Sequence, residues 1–381
     1  MYRKGPTYRK DPMLLTSENQ TLDSYAPGLR ERLYDHGLLA NEGARSTAVA
    51  EWSDTGGTRL IVPTALGGAG ASAIDAVRFQ TAIGAVAPSL AAATTMHHLS
   101  CATLFEAAED ASQDERDLIR ALVEGGTVMA SGFSEGSPGG SVFRPTMTAR
   151  RDGDDYLLSG RKAPCSLSRS MSLLVASALV DDSERAVVLV FDGAEGLRRE
   201  EFWKSPVLAA AESDALILDD VRVEADMVFL TSENDPDDVH EMTGYLWFGL
   251  LISACYLGVA TRMVERLTDR DRLDPKLFAS ALAEVETMRT ALHAVAREFD
   301  EGARGGDVSA RLALVRWSMR DALVRVQSMV REAVGGFAYM QDPELAYAFE
   351  AVQVFGYHPP SRRDTADRLV QWARGEDFRY V

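Results

Sequence analysis

Cysteine is scarce in this chain and basic residues are outnumbered, and each shortage removes a class of function. The 381 residues include 3 cysteines, Cys101, Cys165 and Cys255, far apart and without CxxC spacing. That excludes a disulfide framework or a thiolate zinc site and fits a reducing compartment. The 6 histidines include the neighbours His97 and His98 but form no HExxH pattern, so no metal is expected. Against 57 Asp and Glu stand only 40 Lys and Arg, a net charge of −17 with a pI near 4.9. Phosphate backbones reward the opposite balance, so nucleic acid is not an expected partner. No unbroken run of 18 apolar residues occurs, and "MYRKGPTYRKDPM" lacks the apolar stretch of a secretory signal. The expectation is a soluble cytoplasmic protein without a membrane partner, with "ENDPDD" (233–238) as a solvated loop.

What is present is apolar and patterned. At 46% hydrophobic residues the chain can bury a large core. Residues 1–125 read as helical: "PGLRERLYDHGLLANEG" has leucines at helical spacing ending on Gly43, and "AIDAVRFQTAIGAVAPSLAAATTMHHLSCATLFEAA" has the small side chains of closely packed helices. Between them "LIVPTALGGAGAS" (60–72) combines a strand-like apolar stretch, a proline and a glycine-rich turn. Residues 126–235 change to short β-prone runs, "SLLVASALV", "RAVVLVFDG" and "DALILDDVRV" among them, separated by Gly, Asp and Ser turns. They predict an antiparallel barrel or sandwich. Residues 236–381 return to helix. "YLWFGLLISACYLGVATRMVERL" is apolar almost all round and so predicts a buried helix. Asp274 and Pro275 suit N-cap and first-turn positions, and Asp307 can cap the following helix. Phe278 to Phe299 and Leu312 to Val334 supply two apolar stripes. The fold class is α+β and mostly helical: an N-terminal helical domain, a central β domain and a C-terminal four-helix bundle.

That order, with "LIVPTALGGAGASAIDAVRF", "SGFSEGSPGGS", "TARRDGDDYLLSGRK", "LILDDVRVEADMV" and "AVGGFAYM" in sequence, resembles the acyl-CoA dehydrogenase family of flavoproteins from about residue 25 to residue 375. The resemblance implies FAD as cofactor, an acyl thioester or carrier-bound substrate, and a homodimer or homotetramer. It implies that Ser134 and Ser166 bond the flavin ring and that Gly335 and Gly336 lie beside the cofactor. It also implies that His97, Tyr245, Trp247 and Phe248 line the substrate pocket, although helical spacing alone makes the aromatic residues core and His97 a satisfied core histidine.

Several positions depart from the family pattern. Pro164 stands where many members carry a tryptophan beside the flavin, and Glu332 where a glutamine is common. The usual arginine and Phe-Gly pair that reach the diphosphate are missing, leaving Arg270 and Arg272 as substitutes. A carboxylate facing a diphosphate would be repelled by roughly 1–4 kcal/mol, unless Glu332 turns away or pairs with Arg331. Phe349 and Glu350 replace an Arg-Asp pair. Neither place where relatives keep a catalytic glutamate holds one: the C-terminal place is His358, in "FGYHPPS", and the place on the buried helix is Phe248.

His358 is the candidate catalytic residue. Pro359 restricts it to extended backbone and, with Pro360, stops the preceding helix. A neutral imidazole suits a more acidic proton than that of a saturated thioester, and the same residue could simply be a helix stop. Three functions remain open: a flavin-dependent oxidoreductase, either dehydrogenase or oxygenase; a cofactor-independent cyclase, isomerase or lyase in a vacated flavin cleft; and a non-catalytic subunit of a heteromeric dehydrogenase.

Overall fold

The computed structural model describes residues 13–107, 113–137, 142, 144–181, 184–230, 239–270 and 273–380; the acidic run 233–238 and Arg272 lie outside the described residues. The helices are α1 (Thr16–Tyr25), α2 (Leu29–His36), α3 (Leu38–Asn41), α4 (Ala48–Asp54), α5 (Ala73–Gly84), α6 (Pro88–Ala107), α7 (Gln113–Glu124), α8 (Val239–Glu265), α9 (Pro275–Asp300), α10 (Gly306–Gln341), α11 (Pro343–Ala351) and α12 (Arg362–Ala373). The strands are β1 (Met129–Gly132), β2 (Thr148–Asp152), β3 (Asp155–Cys165), β4 (Leu173–Val180), β5 (Glu184–Phe191), β6 (Leu197–Glu200), β7 (Asp214–Val223) and β8 (Val228–Leu230). They form two compact units. One gathers the described residues up to Thr55 with Ser72–Ala92 and Gly249–Tyr380; the other gathers Gly56–Ala71 and Ala93–Phe248.

The helical unit is built on backbone contact. A Cβ at Gly84 of α5 would lie 2.2 Å from the Cys255 carbonyl oxygen of α8, and one at Gly258 of α8 would lie 2.1 Å from the Thr81 carbonyl oxygen of α5. The two helices therefore meet main chain to main chain, which only glycine allows. α8 also receives Leu312 of α10 against Gly249. Thr243–Asp269 is long and apolar enough to cross a bilayer, yet 89% of its apolar window is buried, as expected of a core helix. Asp274 caps α9 through the Lys276 and Leu277 N–H groups at 2.9 and 3.0 Å. Along α9 Val285, Met288, Leu292, Val295 and Phe299 are buried, and along α10 Leu312, Met319, Leu323, Val326, Val330 and Val334.

Local details depart from expectation for identifiable reasons. Gly37, with φ of 79°, breaks the first leucine-rich helix into α2 and α3. Asp307 does not cap α10; that helix starts from Gly305, and the Asp307 carboxylate accepts the Trp372 indole N–H at 2.8 Å. In the other unit "LIVPTALGGA" is a folded-back loop rather than a strand. There Gly70 and Ala71 return N–H groups to Val62 and Leu60 at 2.8 and 2.9 Å, and Gly68 lies so close over Val62 that a Cβ would collide with its carbonyl. The sheet is mixed, in the order β6-β7-β3-β2-β4-β5-β8, with β1 beside β4. β4 runs parallel to both β1 and β2, while the remaining pairings are antiparallel. Alternation along a strand reports its buried face but not its neighbour's direction, so the parallel pairs could not be read from it.

Gly258→Ala is expected to lower unfolding stability by about 1–3 kcal/mol through overpacking. Gly336→Ala, with open space around its Cα, should leave stability nearly unchanged. Denaturant unfolding of both variants checks the contrast.

Candidate functional site

In the sheet unit the two expected flavin-edge serines sit on neighbouring segments. The Ser134 carbonyl accepts the Ala163 N–H at 2.8 Å, and Glu135 bridges Ala163 in parallel, so the end of β3 brings Ser166 to the Ser134 loop. Glu135 fastens that loop from below. Its carboxylate accepts the Lys162 ammonium at 2.8 Å, the Thr146 N–H and hydroxyl at 2.7 and 2.6 Å, and the Met147 N–H at 3.0 Å. Burial alone would raise the Glu135 pKa, but Lys162 and Thr146 overcome it and hold it at about 2. Lys162 is fully buried, and burial draws its own pKa down against the pull of Glu135. No periodicity in the sequence marks this ion pair.

The Ser166 hydroxyl lies 3.0 Å from that of Ser213, a partner the sequence reading missed. The two loops are tied together by Leu167 N–H to Ala211 O at 3.0 Å and by a two-point Arg169–Asp214 contact at 2.7 and 3.0 Å. Leu167, Leu208 and Glu212 all adopt left-handed φ, at 64°, 59° and 55°. Such conformations cost free energy and persist where surrounding contacts impose them.

His97 is buried and tied to backbone at both ring nitrogens. Its Nδ1 accepts the Met129 N–H at 3.0 Å, which leaves the proton on Nε2 to reach the Thr58 carbonyl at 2.9 Å. With both nitrogens committed and the side chain buried, its pKa is pushed down to about 4. The ring is a neutral tie joining α6 to β1 and the 56–71 loop. Tyr245 and Phe248 meet edge to face at 6.2 Å, but Trp247 lies two residues from Tyr245 and so on another side of α8. Phe248 is buried.

In the helical unit Gly335 takes φ of 68° and ψ of 168° and bends α10. Nothing lies within 4 Å of a Cβ placed at Gly335 or Gly336. Arg270 donates to the Val334 carbonyl at 3.2 Å, reaching the glycine pair from the end of α8. Arg331 lies over the Phe349 ring and pairs with Glu350 at 3.9 Å, while Glu332 is exposed.

His358 has the extended backbone that Pro359 dictates, φ −76° and ψ 131°. Its Nε2 lies 2.6 Å from the Tyr256 hydroxyl. Arg316 donates to the carbonyls of His358 and Pro359 at 3.2 and 3.0 Å. Arg316, Arg320, Arg362, Trp317 and Phe355 join His358 around a small cleft. The side chain is half-buried by surface area, and burial together with the Arg316 charge pushes its pKa down to about 3. Within the same unit lies Glu42, which the sequence reading overlooked because an isolated glutamate before a glycine looks like a solvated turn. Its buried carboxylate accepts the Ser89 N–H at 2.8 Å and hydroxyl at 2.5 Å, and the Tyr347 hydroxyl. Burial raises its pKa to about 6 against those hydrogen bonds.

With this geometry in hand, the chain can be set beside known proteins. No family model matches it. It is 34% identical to isobutylamine N-hydroxylase of Streptomyces viridifaciens, over 95% of this chain and 98% of that protein. It is 24% identical to cyclohexane-1-carbonyl-CoA dehydrogenase of Geobacter metallireducens, over 76% and 79%. The chain belongs to the acyl-CoA dehydrogenase family. Its fold is that of FMN-bound TdsC from Paenibacillus sp. A11-2, with a TM-score of 0.78, 18% identity and coverage of 96% and 98%. Within this family it is a divergent member.

Two outcomes are expected. Lys162→Met leaves Glu135 without its cation and should cost about 3–5 kcal/mol, read by denaturant unfolding. Glu42 has a folded-state pKa above its unfolded value, so its favourable contribution is complete below about pH 4.5 and is lost as pH rises through about 6. Wild type should lose about 2 kcal/mol across that window, and Glu42→Gln should remove the slope.

Proposed function

We propose that this protein is a flavin-dependent oxygenase that hydroxylates the nitrogen of a small aliphatic amine. The observation that carries the reading is His358, a half-buried imidazole held by Tyr256 and Arg316 where the family resemblance would put a carbon base. Such a group cannot take the weakly acidic α-proton of a thioester, which dehydrogenation requires. An oxygenase needs no carbon base, and the relative named an N-hydroxylase spans nearly the whole chain. The balance is amine, O2 and reduced flavin giving N-alkylhydroxylamine, water and oxidised flavin.

The residues present fit such a cofactor. Ser134 and Ser166, on adjoining segments and with Ser166 steadied by Ser213, suit the polar edge of the ring. A bound reduced flavin would supply the two electrons that carry one oxygen atom of O2 to water. FMN and FAD both satisfy this chemistry. His358, a neutral ring on the small cleft, is placed beside the substrate nitrogen, and the substrate is taken as neutral amine. Phe337, Tyr339 and Met340, exposed at 77, 43 and 71%, support a homo-oligomer.

The test supplies the purified protein with reduced FMN or FAD, oxygen and isobutylamine. The expected product is one oxygen atom heavier than the amine by mass spectrometry. His358→Ala should lower its formation by about 10- to 100-fold, the loss of one transition-state hydrogen bond. Absence of flavin binding would overturn the reading, as would anaerobic bleaching of bound flavin by an acyl-CoA with no amine product.

A further inference from the structure

Tyr256 lies in the middle of α8 with its side chain fully buried. Two other hydroxyls on that helix turn back onto it: Ser253 donates to the Gly249 carbonyl at 2.6 Å and Thr261 to the Leu257 carbonyl at 2.7 Å. The Tyr256 hydroxyl instead leaves the helix and meets His358 Nε2, 102 residues away in the chain, at 2.6 Å. The rings lie 5.5 Å apart at 54°, and Phe355 supports the phenol from 5.3 Å. From the other side Arg316 holds the two carbonyls that flank the turn. His358 is therefore fixed at its backbone by one helix and at its ring by another.

We propose that Tyr256 is a positioning residue for His358, whose phenol holds the imidazole in one orientation and selects its tautomer. This rests on the placement of His358 at the reacting centre given above; Tyr256 itself touches no substrate. A phenol both donates and accepts, whereas a neutral imidazole has one nitrogen of each kind. With Nε2 held on the phenol, the hydroxyl either donates to a bare Nε2, with the ring proton on Nδ1, or accepts from Nε2–H, and the ordered contact keeps the ring in one of the two, the role an orienting group plays for a working histidine. Burial raises the Tyr256 pKa far above its usual value, so the phenol remains an O–H throughout the working range. The charged and titratable groups around the pair are Cys255 on α8, Arg316 and Arg320 on α10, Tyr347 on α11, Arg362 on α12 and Glu42 after α3.

Tyr256→Phe removes one oxygen and keeps the ring that packs on Phe355. The experiment records 15N–1H spectra of histidine-labelled full-length protein between pH 5 and 8, roughly the range in which a free histidine titrates. His358 is assigned by the loss of its signals in His358→Gln. Wild type should show a single, non-titrating tautomer, and Tyr256→Phe should show averaged nitrogen shifts. Its turnover of isobutylamine should fall about fivefold or more with KM little changed. A mixed tautomer in wild type, or an unchanged spectrum in Tyr256→Phe, overturns the proposal; the wild-type measurement decides even if the variant fails to fold. Undiminished turnover in His358→Ala would instead remove the reading of the reacting centre, and that result is distinct from either spectral outcome.

Discussion

The helical unit depends on a contact that no side chain makes. Where α5 crosses α8, Gly84 and Gly258 let each helix rest on the other's carbonyl oxygens. That approach fixes the path of α8, and with it the height at which Tyr256 emerges from the helix. Hydrophobic burial stabilises the unit, since α8, α9 and α10 bury continuous apolar stripes. It does not set the spacing. The spacing comes from the two missing β-carbons, and the polar geometry around His358 is built on it.

Under the proposed function, the chemistry turns on His358. A carboxylate base is charged at neutral pH and strengthens in a dry site; an imidazole responds oppositely, because burial and a neighbouring guanidinium both disfavour its charged form. Burial, which would strengthen a glutamate as a base, makes His358 a weaker one. What remains is a neutral ring that can offer or receive a single hydrogen bond. Oxygen transfer to an amine lone pair can use such a group, and proton abstraction from carbon cannot.

Much of this fold was legible in the sequence because its elements are strongly periodic. The stripes along α9 and α10, the Asp274 cap and the order of helical and β-rich segments all follow from spacing that water enforces. The extended backbone at His358 followed from Pro359 alone. The loop over 60–71 misled because three apolar residues in a row suit a strand and a folded turn equally well. Trp247 was grouped with Tyr245 and Phe248 by proximity in sequence, although a helix separates residues two apart. Tyr256, Arg316, Ser213 and the Glu135–Lys162 pair could not be read at all. Their significance lies in partners 27 to 102 residues distant, and local pattern carries no information about such pairings.

The clamp made by Arg316 has an electrostatic side. The guanidinium that grips the carbonyls of His358 and Pro359 is also a fixed positive charge beside the ring. Arg316 thus bears on both the posture and the protonation of the histidine. A change that frees the turn also makes the imidazole more basic, so along this lineage a looser His358 would at once be a more ionisable one.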